Sequence, residues 1–197
     1  MRVTLFDYGA GNLHSLSKAL AMEPGVEVHV EEDPRKAVDS DVLVLPGVGA
    51  FGLAAARLAP GRDTMRLALE RGLPCLGICL GMQLLFDSSD EGAGKGLGYF
   101  AGHVQRLAAR RVPQMGWNQV DEDSTLSGAK LDTVYYAHSF VCRVADPSLV
   151  TAWTTHEGDR FPAAVRRGKV VGVQFHPEKS SASGVAFVRA FLREVRS

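Results

Sequence analysis

The sequence predicts an α/β fold, a mostly parallel sheet flanked by helices and extended by antiparallel strands. Three observations carry this. In the first half, short apolar runs alternate with segments whose apolar residues recur at helical spacing. The run DVLVL, residues 41–45, is apolar almost throughout rather than alternating, as a strand covered on both faces requires. From Tyr99 to Gln174 the helical spacing fades, and strand-like runs follow one another through Gly, Pro and Asp turns.

Taken in order, Val3 to Phe6 is a short apolar strand that ends in the loop signal DYGAGN. Leu13, Leu16, Ala19 and Leu20 then share one helical stripe. Val26, Val28 and Val30 alternate as a strand does, and Asp41 to Leu45 is stopped by Pro46-Gly47. A helical stretch surrounds Met65 to Leu69, a strand covers Pro74 to Ile78, and a helix begins near Leu80. HVQRL, TVYYAHSF, LVTAWTT, AAVRR and KVVGVQF read as strands. A last helix carries Val185, Val188, Phe191, Leu192 and Val195 on one face. No repeat, low-complexity run or linker interrupts this order, so residues 1–197 read as one domain.

Composition narrows the function classes. Lys plus Arg and Asp plus Glu both number 22, which leaves no basic excess for nucleic acid or an anionic membrane surface. Cys75, Cys79 and Cys142 are too few for a disulfide framework and lack paired CxxC spacing for zinc. No signal-peptide pattern opens the chain and no apolar run is long enough for a membrane span. The expectation is a cytoplasmic protein with no metal and no cofactor.

Three motifs carry chemistry. In LPCLGICLGMQLLF, Gly77 and Gly81 flank Cys79 at minus two and plus two, where a strand hands over to a helix. Such a corner needs glycines because the turn is sharp and its neighbours crowd it. A cysteine there meets the unpaired amides of a helix start, which favour the reactive thiolate, and the Leu80 amide can face a developing oxyanion. A buried structural cysteine explains the pattern alone equally well. The second motif, VVGVQFHPEKS, is a strand; if it stays extended through Pro177, His176 and Glu178 share a face. The carboxylate could then orient the imidazole as a general base. A cysteine corner and an HxE in one α/β chain together favour a Cys79–His176–Glu178 triad. The third, VLVLPGVGAFG, puts Gly47, Val48 and Gly49 after a strand. It lacks the Lys-Ser/Thr of a phosphate loop, so beside a nucleophile it reads as half of an oxyanion hole, with a plain tight turn as the alternative.

PGVGAF, GICLGMQLLF and GVQFHPEKS, in this order and spacing, resemble the class I (triad-type) glutamine amidotransferases. DYGAGNLHSL, PQMGWNQV and YYAHSF narrow the resemblance to the glutaminase subunits of imidazole glycerol phosphate synthase, over nearly the whole chain. The resemblance implies a flavodoxin-like fold and a glutamyl thioester on Cys79, with His176 as base and then acid, Glu178 as its orienter, and no cofactor. It implies an oxyanion hole from Leu80 and the Gly47–Val48–Gly49 loop, the latter after a peptide flip. It assigns Gln83, Ser139 and Phe140 to glutamine. Phe140 stands where relatives often carry Tyr, so core packing is its alternative role. It implies a (β/α)8-barrel synthase subunit as partner, receiving ammonia for imidazole glycerol phosphate and an aminoimidazole carboxamide ribotide in histidine biosynthesis. Asn12, Trp117 and Lys179 are candidates for the docking face, against a solvated Lys179 and a core Trp117. The glutaminase of a pyridoxal-phosphate or anthranilate synthase is the rival reading.

Overall fold

A computed structural model describes residues 1–9, 13–121, 125–126 and 128–196. The first half builds β1 (Arg2–Phe6), α1 (His14–Ala21), β2 (Glu27–Glu31), β3 (Val42–Leu45), α2 (Phe51–Leu58), α3 (Arg62–Glu70), β4 (Cys75–Ile78) and α4 (Leu80–Leu84). The second half adds β5 (Ser88–Ser89), β6 (Gly102–Arg106), β7 (Gln114–Gln119), β8 (Thr125–Leu126), β9 (Ala129–Lys130), β10 (Thr133–His138) and β11 (Phe140–Val144). It closes with β12 (Val150–His156), β13 (Asp159–Arg167), β14 (Val170–Val173) and α5 (Ser181–Arg196).

A seven-stranded sheet in the order β12-β13-β14-β4-β3-β1-β2 forms the centre. Its β2-β1-β3-β4-β14 part is parallel, and β13 and β12 extend it antiparallel. The parallel order follows the flavodoxin-like pattern, with β14 in the fifth place. All four residues of β3 are buried, as are all four of β4 and of β14. Alternation then divides them between two apolar layers. Val42, Val44, Leu76 and Ile78 face the layer holding Leu16 and Leu20 of α1 and Phe187, Val188 and Phe191 of α5. Leu43, Leu45 and Cys75 face the layer holding Phe51 and Leu58 of α2 and Met65 and Leu69 of α3.

Three expectations need correction. Helix α2 follows the Gly47–Gly49 loop directly and departs from the sequence reading; its buried Phe51, Ala54, Ala55 and Leu58 keep helical spacing, but three alanines in the helix mute the apolar signal. TVYYAHSF is two strands rather than one. β10 pairs with β7, itself unforeseen in PQMGWNQ, while β11 pairs with β6 in another sheet. Val134, Tyr136 and His138 are buried in alternation, then Val141 and Cys142 are buried in succession; the change of parity marks the break at Ser139. KVVGVQF leaves regular strand at Val173, and Pro177–Lys179 forms a 3-10 turn, so the chain is not extended through Pro177. Among the described residues no helix is long and apolar enough to cross a membrane.

The corner between β4 and α4 has no spare room. A Cβ on Gly81 would lie 2.0 Å from the Leu45 carbonyl oxygen, a backbone atom that cannot swing aside. Gly81→Ala is therefore expected to lose about 3 kcal/mol of stability or fail to fold. Gly72→Ala, with φ +100 but nothing within 4 Å, should lose only about 1–2 kcal/mol. Urea midpoints of the two variants against the parent make the comparison.

Candidate active site

The residues singled out in the sequence meet at the carboxyl ends of β3, β4 and β14, the edge where open α/β sheets bind ligands. Cys79 occupies the corner with φ 47 and ψ −102, a conformation that side chains rarely adopt and that costs on the order of 1–3 kcal/mol. Its amide donates to the Val173 carbonyl at 2.7 Å, which fixes the corner to the neighbouring strand. Leu80 is the first residue of α4, so its amide has no carbonyl to bond within the helix. Cys75 and Cys142 are fully buried, and burial pushes both thiols well up. Cys79 alone of the three lines the cleft.

His176 follows β14, its amide held by the Tyr135 carbonyl at 2.8 Å. The 3-10 turn after it, opened by Pro177, curls Glu178 back so that Oε1 lies 2.8 Å from His176 Nδ1. The pair forms as expected, but through a turn rather than through extended alternation. With Nδ1 engaged, Nε2 is the nitrogen left for Cys79. Burial works against a charged ring, yet the charge and hydrogen bond of Cys79, followed by the hydrogen bond and charge of Glu178, outweigh it and raise the His176 pKa to about 10. The imidazole thus holds a proton at neutral pH.

The cleft encloses about 390 Å³ and is lined by Gly47, Val48, Gly49, Cys79, Leu80, Gln83, His138, Ser139, Phe140 and His176, with Lys179 at its rim. Gly47 lies so close to the imidazole that an added Cβ would stand 2.8 Å from His176 Cε1 and 3.0 Å from the Ile78 carbonyl oxygen. Gly49 takes φ +117, open to glycine and little else. Before this loop, the buried Tyr8 hydroxyl donates to the Pro46 carbonyl. Gln83 donates to the Phe140 carbonyl at 2.9 Å, while the Phe140 ring packs against the core. The ring therefore takes the packing role, and the backbone of residue 140 faces the cleft side.

Among the lining residues that sequence reasoning missed are Glu91, Arg106 and His138. Glu91 accepts from the Phe51 amide at 3.0 Å, and Arg106 stands at the end of β6. Neither belongs to a recognisable motif. His138 lies in YYAHSF, and its burial in alternation with Val134 and Tyr136 gave a usable signal. Trp117 and Tyr135 are cross-strand partners in edge-to-face contact at 6.0 Å, and the Lys179 ammonium sits 5.9 Å from the same Tyr135 ring. Trp117 and Met115 are exposed, by 53% and 72%, so Trp117 is not a core residue. Asn12 lies outside the described residues.

A thiol at a strained strand-to-helix corner, an imidazole beside it and a carboxylate behind that imidazole form the arrangement of a triad amidohydrolase. The glutamine amidotransferase class-I family matches residues 4–195. The chain belongs to that family. It is 41% identical over 197 residues to imidazole glycerol phosphate synthase subunit HisH of Pyrococcus furiosus, covering 98% of each chain. The subunit of the same name from Aquifex aeolicus is 44% identical over 202 residues, covering 98% of this chain and 97% of the relative. Among solved structures, that of a glutamine amidotransferase superimposes with a TM-score of 0.77 at 22% identity, covering 99% of both chains. PurLQS from Thermotoga maritima gives 0.67 at 19% identity, covering 99% of this chain and 97% of that one. These two share the fold. The chain is thus a glutamine amidotransferase, as its motifs suggest.

His138 makes the site pH-sensitive in a testable way. Burial, and then the nearby charge of His176, lower its pKa to about 3. The unfolded chain takes up a proton here below about pH 6.5 while the folded chain does not, so this contribution to stability falls as pH drops from about 6.5 towards 3. The stability of the wild type relative to His138→Gln should therefore fall by about 1 kcal/mol per pH unit from pH 6 to 4. Parallel urea titrations across that range measure it; a constant difference would contradict it.

Proposed function

We propose that this chain is the glutaminase subunit of imidazole glycerol phosphate synthase, hydrolysing glutamine and passing ammonia to a separate synthase subunit. The observation that carries the reading is the Cys79–His176–Glu178 constellation opening on a cleft of about 390 Å³ with mixed polar and apolar lining, in a chain related end to end to HisH subunits. These relatives carry the HisH name rather than that of a pyridoxal-phosphate or anthranilate synthase subunit.

The chemistry follows from the charges. With a proton on His176, the sulfur can stand as a thiolate beside an imidazolium. The thiolate attacks the glutamine carboxamide carbon. The Leu80 amide and an amide of the Gly47–Val48–Gly49 loop receive the oxyanion. His176 gives its proton to the departing nitrogen, ammonia leaves, and a glutamyl thioester remains. Water then attacks, losing a proton to His176, and glutamate is released with the sulfur restored. Glu178 keeps the ring in the tautomer and orientation that both transfers need. At the far side of the cleft, Gln83, Ser139 and the backbone of Phe140 hold the amino-acid end, where Glu91 and Arg106 complement its ammonium and carboxylate.

The partner is a (β/α)8-barrel synthase subunit, and it docks over Trp117, Met115, Tyr135 and Lys179. An exposed Trp and Met beside a cation suit the buried centre of an interface. The surface adjoins the mouth of the cleft, since Met115 and Lys179 line both. Ammonia released there is covered by the partner rather than lost to water, where it would be protonated. Asn12 completes the docking set as the resemblance implies.

Two outcomes test this. Cys79→Ala should abolish glutamine-dependent synthesis by the reconstituted pair and leave synthesis from added ammonia intact; retained glutaminase activity removes the assignment. Trp117→Ala should weaken the pair at least tenfold in Kd by titration calorimetry, about 1.4 kcal/mol, with the urea midpoint of the free chain within error of the parent.

A further inference from the structure

We infer that the side-chain amide of Gln174 is a catalytic hydrogen-bond donor to the Cys79 sulfur, held in that orientation by Gln83. The inference rests on Cys79 being the nucleophile. Gln174 is fully buried, two residues before His176, with its backbone amide fixed to the Ala163 carbonyl at 2.9 Å. Its Nε2 lies 3.4 Å from Cys79 Sγ. Its Oε1 lies 3.5 Å from Gln83 Nε2, and that same nitrogen lies 2.9 Å from the Phe140 carbonyl oxygen.

The polarity of this chain is forced from one end. A backbone carbonyl only accepts, so the Gln83 atom facing Phe140 must be the NH2 group. That NH2 next meets Gln174, which must present its oxygen. The Gln174 NH2 is then left to face sulfur. Turning Gln83 over would set its oxygen against the Phe140 carbonyl oxygen, and turning Gln174 over would set two NH2 groups against each other. A buried amide is costly unless bonded, and an apolar side chain would fill this strand position without that cost. The Ala137 carbonyl, 3.9 Å from the sulfur, can take a thiol proton but opposes a sulfur anion, so a donor on another side is what the anion needs.

The donor acts at both ends of the reaction. Before attack it holds the electron pair that will form the C–S bond. During hydrolysis of the thioester, the C–S bond breaks and its pair returns to sulfur, where the Gln174 N–H and the His176 imidazolium receive it. Water supplies the oxygen of glutamate, and no further reactant is needed. The Gln83 oxygen, with its NH2 doubly engaged, is free to accept from substrate. One side chain thus ties the amino-acid end of the cleft to the nucleophile.

The test reads the sulfur without using glutamine. The whole chain is alkylated with iodoacetamide from pH 6 to 10, and modification of Cys79 is followed by peptide mass spectrometry. Gln174→Met, close in length and without a donor, should react about tenfold more slowly than wild type at pH 7, the weight of a hydrogen bond to a charged group. It should converge with wild type near pH 10. In complex with the synthase subunit its kcat should fall by a similar factor, with the KM for glutamine changed less than threefold. A profile that superimposes on wild type, or one lowered equally at every pH as a purely structural defect would give, overturns the inference. Gln83→Leu, which frees the Gln174 amide to turn, is read by its alkylation profile alone, because Gln83 also faces substrate, and that profile decides the matter if Gln174→Met does not fold. Failure of the underlying reading looks different: Cys79→Ala would retain glutaminase activity whatever the alkylation profiles show.

Discussion

The site depends on one backbone corner. Cys79 is held at φ 47, ψ −102, and the strain is sustained because the surroundings leave no alternative. The Cys79 amide is bound to β14, Gly77 and Gly81 pack against each other, and Gly81 packs on β3. From this corner follow the direction of the sulfur, the start of α4 and the position of the Leu80 amide. The glycines are required by contact: a Cβ on Gly77 would lie 2.8 Å from the Gly81 backbone. A relaxed corner would move the nucleophile away from an imidazole that is itself fixed to another strand.

Around that corner the protein places two buried histidines in opposite electrostatic states. His176 faces the sulfur and a carboxylate, and its pKa rises to about 10 despite burial. His138, packed edge-to-face against Tyr136 and Phe161, meets no carboxylate among the described residues, and burial lowers it to about 3. The charge of His176 helps to keep His138 neutral, since a second imidazolium beside the first would be repelled. One ring is prepared to donate a proton, and its neighbour stays neutral at the same pH. Burial alone does not decide a charge state; the partners do.

The proposed docking surface and the catalytic base both make contact with β10 at Tyr135. Trp117 and Lys179 both meet the ring of Tyr135, whose carbonyl accepts from the His176 amide. The Tyr135 amide in turn accepts nothing but donates to Ser180 Oγ, whose hydroxyl donates to the His176 carbonyl. Hydrogen bonds thus join the strand under the exposed aromatic face to the turn that orients His176 and Glu178.

Much of this was legible in the chain because it is local. GxCxG, HxE and the Gly47–Gly49 loop each place a chemical group within a few residues, and strict burial made β3, β4 and β14 readable. Where the sequence misled, the cause was also local: three alanines hid α2, and a change of parity at Ser139 divides what reads as one strand-like run. The sequence by itself determined which groups could react, because side-chain chemistry and backbone freedom belong to individual residues. Only the tertiary structure decided what those groups face. Gln174 reaches the sulfur because β14 lies beside β4, His138 enters the cleft because β10 pairs with β7, and Glu91 and Arg106 arrive on elements with no motif at all. Such contacts join residues far apart in the chain, and their energies depend on burial and neighbours that only folding supplies.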